Sequence, residues 1–293
     1  MSLFTGSGTA LITPFDEKGI YWEAFAEQIE FQIKNGTKAL IVCGTTGEPS
    51  TMTDEEKSEA IAFTVRQAAG RVPVIAGAGS NDTAHVVALC RQAEEIGADG
   101  LLIVTPYYNK TTQRGLIAHY THIADSTKLP IIVYNVPSRT GLNMKPETLA
   151  ALSRHPRIVA MKEASGDMVQ VMEMARLCAR RIDLYSGADE MTFAVMAAGG
   201  KGVISVVSNI VPAEMAALVE SWLSGDIAAS RAMQFRMNPL IDALFCETNP
   251  IPVKTAMNML GMKAGLLRLP LVEMAPENIT RLRKALEDFG LSA

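Results

Sequence analysis

Short apolar runs of strand length recur along the chain, separated by segments with helical periodicity. They fall at Ala10–Ile12, Ala39–Val42, Val74–Ala76, Leu101–Val104, Ile131–Tyr134, Ile158–Met161, Ile182–Tyr185 and Val203–Val206. Runs this short, without polar alternation, read as strands buried on both faces, the pattern of a parallel sheet covered by helices. Eight such units within about two hundred residues predict a closed (β/α)8 TIM barrel. An open doubly wound sheet commonly has fewer strands and a Gly-x-Gly-x-x-Gly loop after the first, and no strand here is followed by that loop. The segments between runs carry helix punctuation. Asn35-Gly36, Ala69-Gly70 and Ile96-Gly97 stop periodic stretches as left-handed caps do. Thr53 with Glu56 forms a capping box, Asn81-Asp82-Thr83 offers capping side chains, and Pro146 and Pro212 stand where first-turn prolines open the fifth and eighth helices.

Beyond about Leu223 the strand signals stop. Helical stretches are predicted near Ile227–Ala243, Val253–Leu260 and Asn278–Phe289. The chain therefore divides into a barrel over 1–224 and an appended C-terminal helical bundle over 225–293. Within the bundle, Asn249-Pro250-Ile251-Pro252 reads as a rigid connector, because each proline restricts the residue before it to extended geometry. No low-complexity linker intervenes, so the bundle is expected to pack on the barrel or on a neighbouring subunit.

Composition removes several function classes. Lys and Arg total 27 against 31 Asp and Glu, a net charge of −4 with no long run of either sign, which disfavours a nucleic-acid partner. No segment approaches the roughly 18 apolar residues of a membrane span, and the first residues have neither a basic region nor a signal-length apolar stretch. A cytoplasmic protein without membrane association is the expectation. Cys43, Cys90, Cys178 and Cys246 lack the close spacing of a zinc cluster or a disulfide framework. The histidines at 85, 119, 122 and 155 fall on helices or a helix–strand turn, which argues against a catalytic metal.

In a barrel of this kind chemistry gathers in the loops after the strands. Lys162 closes the sixth apolar run, whereas Lys38 and Lys201 precede strands and Lys254 lies in the tail. An amine pressed against apolar walls loses proton affinity and can attack a carbonyl, which is Schiff-base chemistry in outline. The ordinary alternative is a lysine that snorkels to solvent or pairs with Glu163. Tyr134, one strand away, is the candidate acid–base. After the second strand, Gly44-Thr45-Thr46-Gly47 can hold a carboxylate or relay a proton, or can be a plain threonine-capped turn. Tyr107-Tyr108 after the fourth strand is either half-buried packing or part of a hydroxyl chain. Arg139 offers a fork of donors for a carboxylate, or is a solvated surface residue. Gly187 and Gly202 can admit a ligand against the backbone, or simply allow close packing.

Together, Gly44-Thr45-Thr46-Gly47-Glu48, Tyr107-Tyr108-Asn109, Tyr134-Asn135-Val136-Pro137-Ser138-Arg139-Thr140-Gly141 and Lys162-Glu163-Ala164 resemble the dihydrodipicolinate synthase family of pyruvate-dependent class I lyases. The resemblance runs through Asn249-Pro250-Ile251-Pro252-Val253-Lys254 and Leu267-Arg268-Leu269-Pro270, and so covers nearly the whole chain. It implies a lyase of lysine and diaminopimelate biosynthesis that condenses pyruvate with L-aspartate 4-semialdehyde, without cofactor or metal. Lys162 would form the pyruvate imine. Tyr134, Thr45 and a Tyr108 from a neighbouring subunit would relay protons, Thr46 would hold the pyruvate carboxylate, and Arg139 the carboxylate of the semialdehyde. Gly187 and Ile204 match positions that line the imine. A homotetramer of tight dimers, or a homodimer, is implied.

The nearest rivals are sister lyases acting on N-acetylneuraminate or keto-deoxy sugar acids. They resemble this chain around the lysine but commonly lack the arginine of Ser138-Arg139-Thr140-Gly141. A non-catalytic binding barrel is the reading from another class, opposed by the presence of every expected chemical group. The departure from the family pattern lies in its lysine-effector cleft. There Asn81 and Tyr107 match, but Pro49, Lys57 and His85 stand where inhibited members carry a small polar residue, a histidine and a glutamate. A cationic Lys57 would repel a lysine effector, since like charges at about 4 Å cost on the order of 1 to 4 kcal/mol near a surface.

Overall fold

The structure, a computed structural model, describes residues 2–178 and 181–292. The barrel strands are β1 (Gly6–Ala10), β2 (Ala39–Val42), β3 (Val74–Gly77), β4 (Gly100–Val104), β5 (Ile131–Asn135), β6 (Ile158–Glu163), β7 (Asp183–Ser186) and β8 (Gly202–Ser205). They are parallel and close on themselves, β1 pairing with both β2 and β8. The covering helices are α1 (Trp22–Lys34), α2 (Asp54–Ala68), α3 (Thr83–Ile96), α4 (Gln113–Asp125), α5 (Pro146–Leu152), α6 (Met168–Cys178), α7 (Thr192–Ala197) and α8 (Pro212–Leu223). Then come α9 (Ile227–Leu244), α10 (Ile251–Met259) and α11 (Pro276–Phe289). Among the described residues no helix is long and apolar enough to cross a membrane.

The punctuation read from the sequence works as expected. Glu56 N–H donates to Thr53 Oγ1 at 3.2 Å while Thr53 N–H donates to Glu56 Oε2 at 3.0 Å, closing the capping box of α2. Asp82 caps α3 through Ala84 N–H at 3.0 Å, and Pro146 and Pro212 open α5 and α8.

Two expectations need correction. The first strand is Gly6–Ala10, not Ala10–Ile12. Its residues are small and partly polar, so an apolar count passes over them, yet all five are buried. A Cβ on Gly8 would lie 2.9 Å from Ile41 and from Phe4, and outward-facing Thr9 donates to Gln32 Oε1 at 2.7 Å, so the position selects smallness and hydrogen bonding rather than hydrophobicity. In the tail, Ile251 and Pro252 are not extended but form the first turn of α10, where a proline has no helical N–H bond to lose.

Side chains divide the interior into three regions. Ile41, Ile75, Leu102, Ile132, Tyr134, Ala160, Tyr185 and Ile204 fill the barrel. Leu40, Ile103, Val133, Met161 and their neighbours pack between strands and helices. The tail shares a third cluster with the end of the barrel, Met237, Leu240, Leu244, Met257 and Leu282 meeting Ile12, Val203, Val207 and Leu218. The tail is thereby fastened over one flank of the strand ends.

Candidate active site

Register places Lys162. Ile131 pairs with Ile158 but Ile132 pairs with Ala160, so Val159 is an extra residue, a bulge that turns the rest of β6 by one position. From there Ala160 and Lys162 face the barrel interior with Ile132 and Tyr134, while Met161 faces the helices. Lys162 lies between Tyr134 on β5 and Tyr185 on β7, and its Nζ stands 4.4 Å over the centroid of the Tyr134 ring. The lysine is buried, neither snorkelling nor paired with Glu163. Glu163 points to the outer face, where it accepts from Ser165 N–H at 2.7 Å and Asn135 Nδ2 at 3.0 Å.

Burial lowers the Lys162 pKa from 10.5 to about 8, against the attraction of Asp189 and with some help from Arg139. Roughly a tenth of such an amine is neutral at pH 7, against about one part in three thousand for an ordinary lysine. Asp189, which sequence reasoning passed over, is fully buried after β7. Its Oδ2 accepts from the amides of Val206 at 2.9 Å and Val207 at 3.0 Å, and burial raises its pKa. It ties the β7 and β8 exits together and supplies the negative charge that Lys162 feels.

The two tyrosines flanking the lysine differ in use. Tyr185 donates its hydroxyl to Phe4 O at 2.5 Å and stacks on Phe4, so it plugs the far end of the barrel. Tyr134 keeps its hydroxyl on the loop side, its pKa raised by burial and opposed by Arg139 and a hydrogen bond with Thr45. Gly187 permits the arrangement, since a Cβ there would come within 2.8 Å of Ala164 and 3.0 Å of Lys162 Cγ. Ile204 belongs to the same interior cluster as Tyr134.

The loop after β2 is held in an unusual shape. Cys43 and Glu48 both take φ of 56°, a left-handed conformation uncommon for residues with side chains, and they bracket the tight turn Thr45–Gly47. Thr46 is buried, and its Oγ1 accepts from Asn249 Nδ2 at 3.0 Å, which leaves its own proton free to donate. Arg139, on the single helical turn Pro137–Thr140, donates from Nη2 to the main-chain oxygen of Asn249 at 2.9 Å. A cavity of about 690 Å³ opens here. Thr45, Tyr107, Tyr134, Val136, Arg139 and Asn249 are among its walls. Lys162 is not among the lining residues but lies against the Tyr134 ring that is.

The structure does not bring every candidate to this point. Tyr108 is 91% exposed and has φ of 67°, at the centre of a turn closed by Asn109 N–H to Tyr107 O at 2.9 Å. Its side chain is not among the walls of its own chain's cavity. Of the effector candidates, Pro49, Lys57, His85 and Tyr107 line the same cavity, whereas Asn81 does not and instead accepts from Asn109 Nδ2 through its main-chain oxygen at 3.0 Å. Lys57 and His85 grip the two oxygens of Asp54 at 2.9 and 2.8 Å, which holds that carboxyl below its ordinary pKa, Lys57 first.

Sequence reasoning also missed the wall behind the loop. The Glu48 carboxylate is buried, accepting from Lys254 Nζ at 2.8 Å and from Arg268 N–H at 3.1 Å. Lys254 further donates to Thr13 O at 3.0 Å and to Leu266 O, and burial lowers its pKa while Glu48 opposes the shift. Arg268 pairs with Glu56, Nη1 at 2.8 Å and Nη2 at 2.6 Å, and lies over the Phe15 ring. The available signal was the clustering of Asn249, Lys254 and Arg268 in the tail stretches that carry the family resemblance.

Comparison with known proteins agrees with this geometry. The model of the dihydrodipicolinate synthetase family matches residues 3–289. A 4-hydroxy-tetrahydrodipicolinate synthase from Thermoanaerobacter sp. (strain X514) is 56% identical over 292 residues, covering 99% of this chain and 98% of the relative. Among solved structures, the dihydrodipicolinate synthase of Aquifex aeolicus superposes with a TM-score of 0.96 at 46% identity, covering 99% of each chain. A monomeric dihydrodipicolinate synthase variant gives 0.97 at 43% identity, covering 99% of this chain and 98% of that one.

Proposed function

The chain belongs to the dihydrodipicolinate synthetase family, and from that membership we propose that it condenses pyruvate with L-aspartate 4-semialdehyde to 4-hydroxy-tetrahydrodipicolinate through an imine on Lys162. The observation that carries the assignment of residues is the desolvated amine over Tyr134, next to a loop hydroxyl with a free proton and a guanidinium at the cavity mouth. Neutral Lys162 attacks the C2 carbonyl of pyruvate, and water leaves as the imine forms. The protonated imine draws electrons from C3. Loss of a C3 proton gives the enamine, whose carbon attacks the aldehyde while the aldehyde oxygen takes up a proton; the semialdehyde's amino group then attacks the imine carbon, closing the ring as the bond to Lys162 breaks and the lysine leaves as the free amine. Tyr134 and Thr45 carry these protons, with Tyr108 reaching in from a second chain to complete the relay. Thr46 donates to the pyruvate carboxylate, Gly187 and Ile204 line the imine, and Arg139 holds the carboxylate of the semialdehyde. The substrate's own imine serves as electron sink, so no cofactor enters. Residues 1–224 form the catalytic barrel and 225–293 a helical bundle that backs it, in an assembly of at least two chains, a dimer or tetramer.

Borohydride reduction in the presence of pyruvate, followed by peptide mass mapping, tests the chemistry. An adduct on Lys162 is expected, and one on another lysine, or none, sinks it. Arg139→Ala should leave this adduct intact while lowering kcat/KM for the semialdehyde by about 10²-fold. Unchanged turnover would remove the basis for the second substrate.

Regulation follows from the Asp54 cluster. Both oxygens of that carboxylate are taken by Lys57 and His85, so an incoming lysine ammonium meets a cation and no free carboxylate. Added lysine is expected to leave the steady-state rate unchanged at physiological concentrations. Inhibition there would refute the reading.

A further inference from the structure

The residues that follow the central pair of the site are themselves paired. Tyr134 lies beside Lys162, and one position further on Asn135 lies beside Glu163. Both are buried, and the Glu163 carboxylate accepts from Ser165 N–H at 2.7 Å and from Asn135 Nδ2 at 3.0 Å. The Asn135 amide also reaches along its own chain. Its Oδ1 accepts from Met144 N–H at 2.9 Å, and Nδ2 donates to Asn143 Oδ1 at 2.8 Å. One side chain thereby closes the excursion over residues 136–143, which carries Arg139. Gln170 on α6 and Gln113 on α4 grip the same foot of the loop. Asn143 Nδ2 donates to Gln170 Oε1 at 2.9 Å, and Gln113 Nε2 donates to the main-chain oxygen of Asn143 at 2.8 Å.

Two main-chain donors fix the direction of these bonds. An N–H cannot turn into an acceptor, so Met144 compels Asn135 to offer Oδ1 on that side and its NH2 towards Glu163. Ser165 N–H in the same way compels Glu163 to offer an oxygen. Position 163 must therefore accept on both sides, which an ionised carboxylate does and an amide does not. Burial raises the Glu163 pKa, and the donors from Ser165, Asn135 and Gln170 work against that rise. The carboxylate is not paired with Lys162, and the groups it does hold lead through Asn135 to the Arg139 loop.

We propose that Glu163 and Asn135 are positioning residues for the second substrate, the carboxylate orienting the asparagine amide so that it ties the loop carrying Arg139 to the strand carrying Lys162. The inference rests on the assignment of Arg139 to the aldehyde's carboxylate given above. Glu163→Gln keeps size and shape but sets a donor against a donor whichever way the new amide turns, because its other end meets Ser165 N–H. The conflict is relieved when the Asn135 amide swings away. That movement strands Met144 N–H and frees the foot of the loop, and Arg139 shifts from the place where the carboxylate is held. A misplacement of about 1 Å is enough to lower a rate by about 10²-fold.

Steady-state kinetics with aspartate semialdehyde at saturating pyruvate test this. Glu163→Gln and Asn135→Asp are each expected to lower kcat/KM by about 10- to 30-fold. Combined, they restore a donor facing an acceptor, since position 163 then donates and position 135 accepts, while the facing amides of Asn143 and Gln170 turn over together. The combination should return kcat/KM to within about threefold of wild type. The decisive readout is a cycle with Arg139→Ala. Residues that act through Arg139 then have nothing left to position, so adding Glu163→Gln to Arg139→Ala should lower kcat/KM by less than about twofold, whereas a role confined to the fold removes the same factor in both backgrounds. Asn143→Ala, at an exposed position, opens the same clasp without disturbing the buried acid and carries the test where a core variant does not fold. It should lower kcat/KM by about three- to tenfold, a loss that disappears in Arg139→Ala. Wild-type kcat/KM in Glu163→Gln, a combination as slow as its parents, or a loss that persists in Arg139→Ala overturns the proposal. Undiminished turnover in Arg139→Ala, or wild type without a borohydride-trapped pyruvate on Lys162, removes instead the reading beneath it.

Discussion

Lys162→Met should abolish turnover, by about 10⁴-fold or more, and at pH 7 should make the protein more stable, not less. The two effects have one cause. The barrel interior holds the amine with a pKa of about 8 against 10.5 when solvated. At 1.36 kcal/mol for each unit, carrying the charge inside at neutral pH costs roughly 3 kcal/mol. Methionine has a similar length and no charge to desolvate. Because the folded pKa lies below the unfolded one, the unfolded chain binds more protons between pH 8 and 10.5, and wild-type stability climbs across that window. The advantage of the variant is therefore full below about pH 8 and gone near pH 10.5. Denaturant titrations at pH 7 and pH 10 check this, and a variant less stable at pH 7, or an advantage that does not shrink, contradicts it. The same pKa sets the rate. In wild type, kcat/KM for pyruvate should rise about tenfold for each pH unit up to about 8 and then level off, as the neutral amine becomes the dominant form.

Much of this site was legible because its chemistry depends on residue type at a strand exit. Periodicity located β2 to β8 to within a residue or two at most ends, and the rule that barrel chemistry gathers after the strands singled out Lys162 among the lysines. What was not legible depends on distance in sequence. The bulge at Val159, which turns Lys162 inward, leaves no trace in an apolar run. β1 was misplaced because Gly6, Ser7, Gly8 and Thr9 are chosen for small size inside the barrel. Nothing in the sequence around Asp189 marks it as buried, although it accepts from two amides at the neighbouring strand exit. Lys254 was set aside as a tail residue, and only the packing of α10 against the barrel end reveals its partner more than two hundred positions earlier.

That partner leads to the second large effect, in which Lys254→Met is expected to destabilise the protein by about 3 to 5 kcal/mol, although it replaces a buried charge with an apolar side chain as Lys162→Met does. The difference is the carboxylate left behind. Lys162 has no hydrogen-bonded acidic partner, whereas Lys254 Nζ meets Glu48 Oε1 at 2.8 Å with both side chains only 1% exposed. Without the ammonium, Glu48 keeps a single amide donor, Arg268 N–H, and must either carry an unpaired buried charge or take up a proton. Thr13 O also loses its donor. Removing both charges in Lys254→Met with Glu48→Leu should recover most of the stability, because a buried ion pair contributes little beyond an apolar pair of similar volume. Activity should not recover with it. Glu48 sits at φ of 56° at the end of the turn that presents Thr45 and Thr46, and its two hydrogen bonds to the tail hold the turn in that strained shape. The double variant is expected to unfold near the wild-type midpoint in guanidinium while kcat falls at least about tenfold. A double variant as unstable as Lys254→Met would mean that the pair stabilises the fold outright, and one with wild-type kcat would mean that the tail does not shape the catalytic loop.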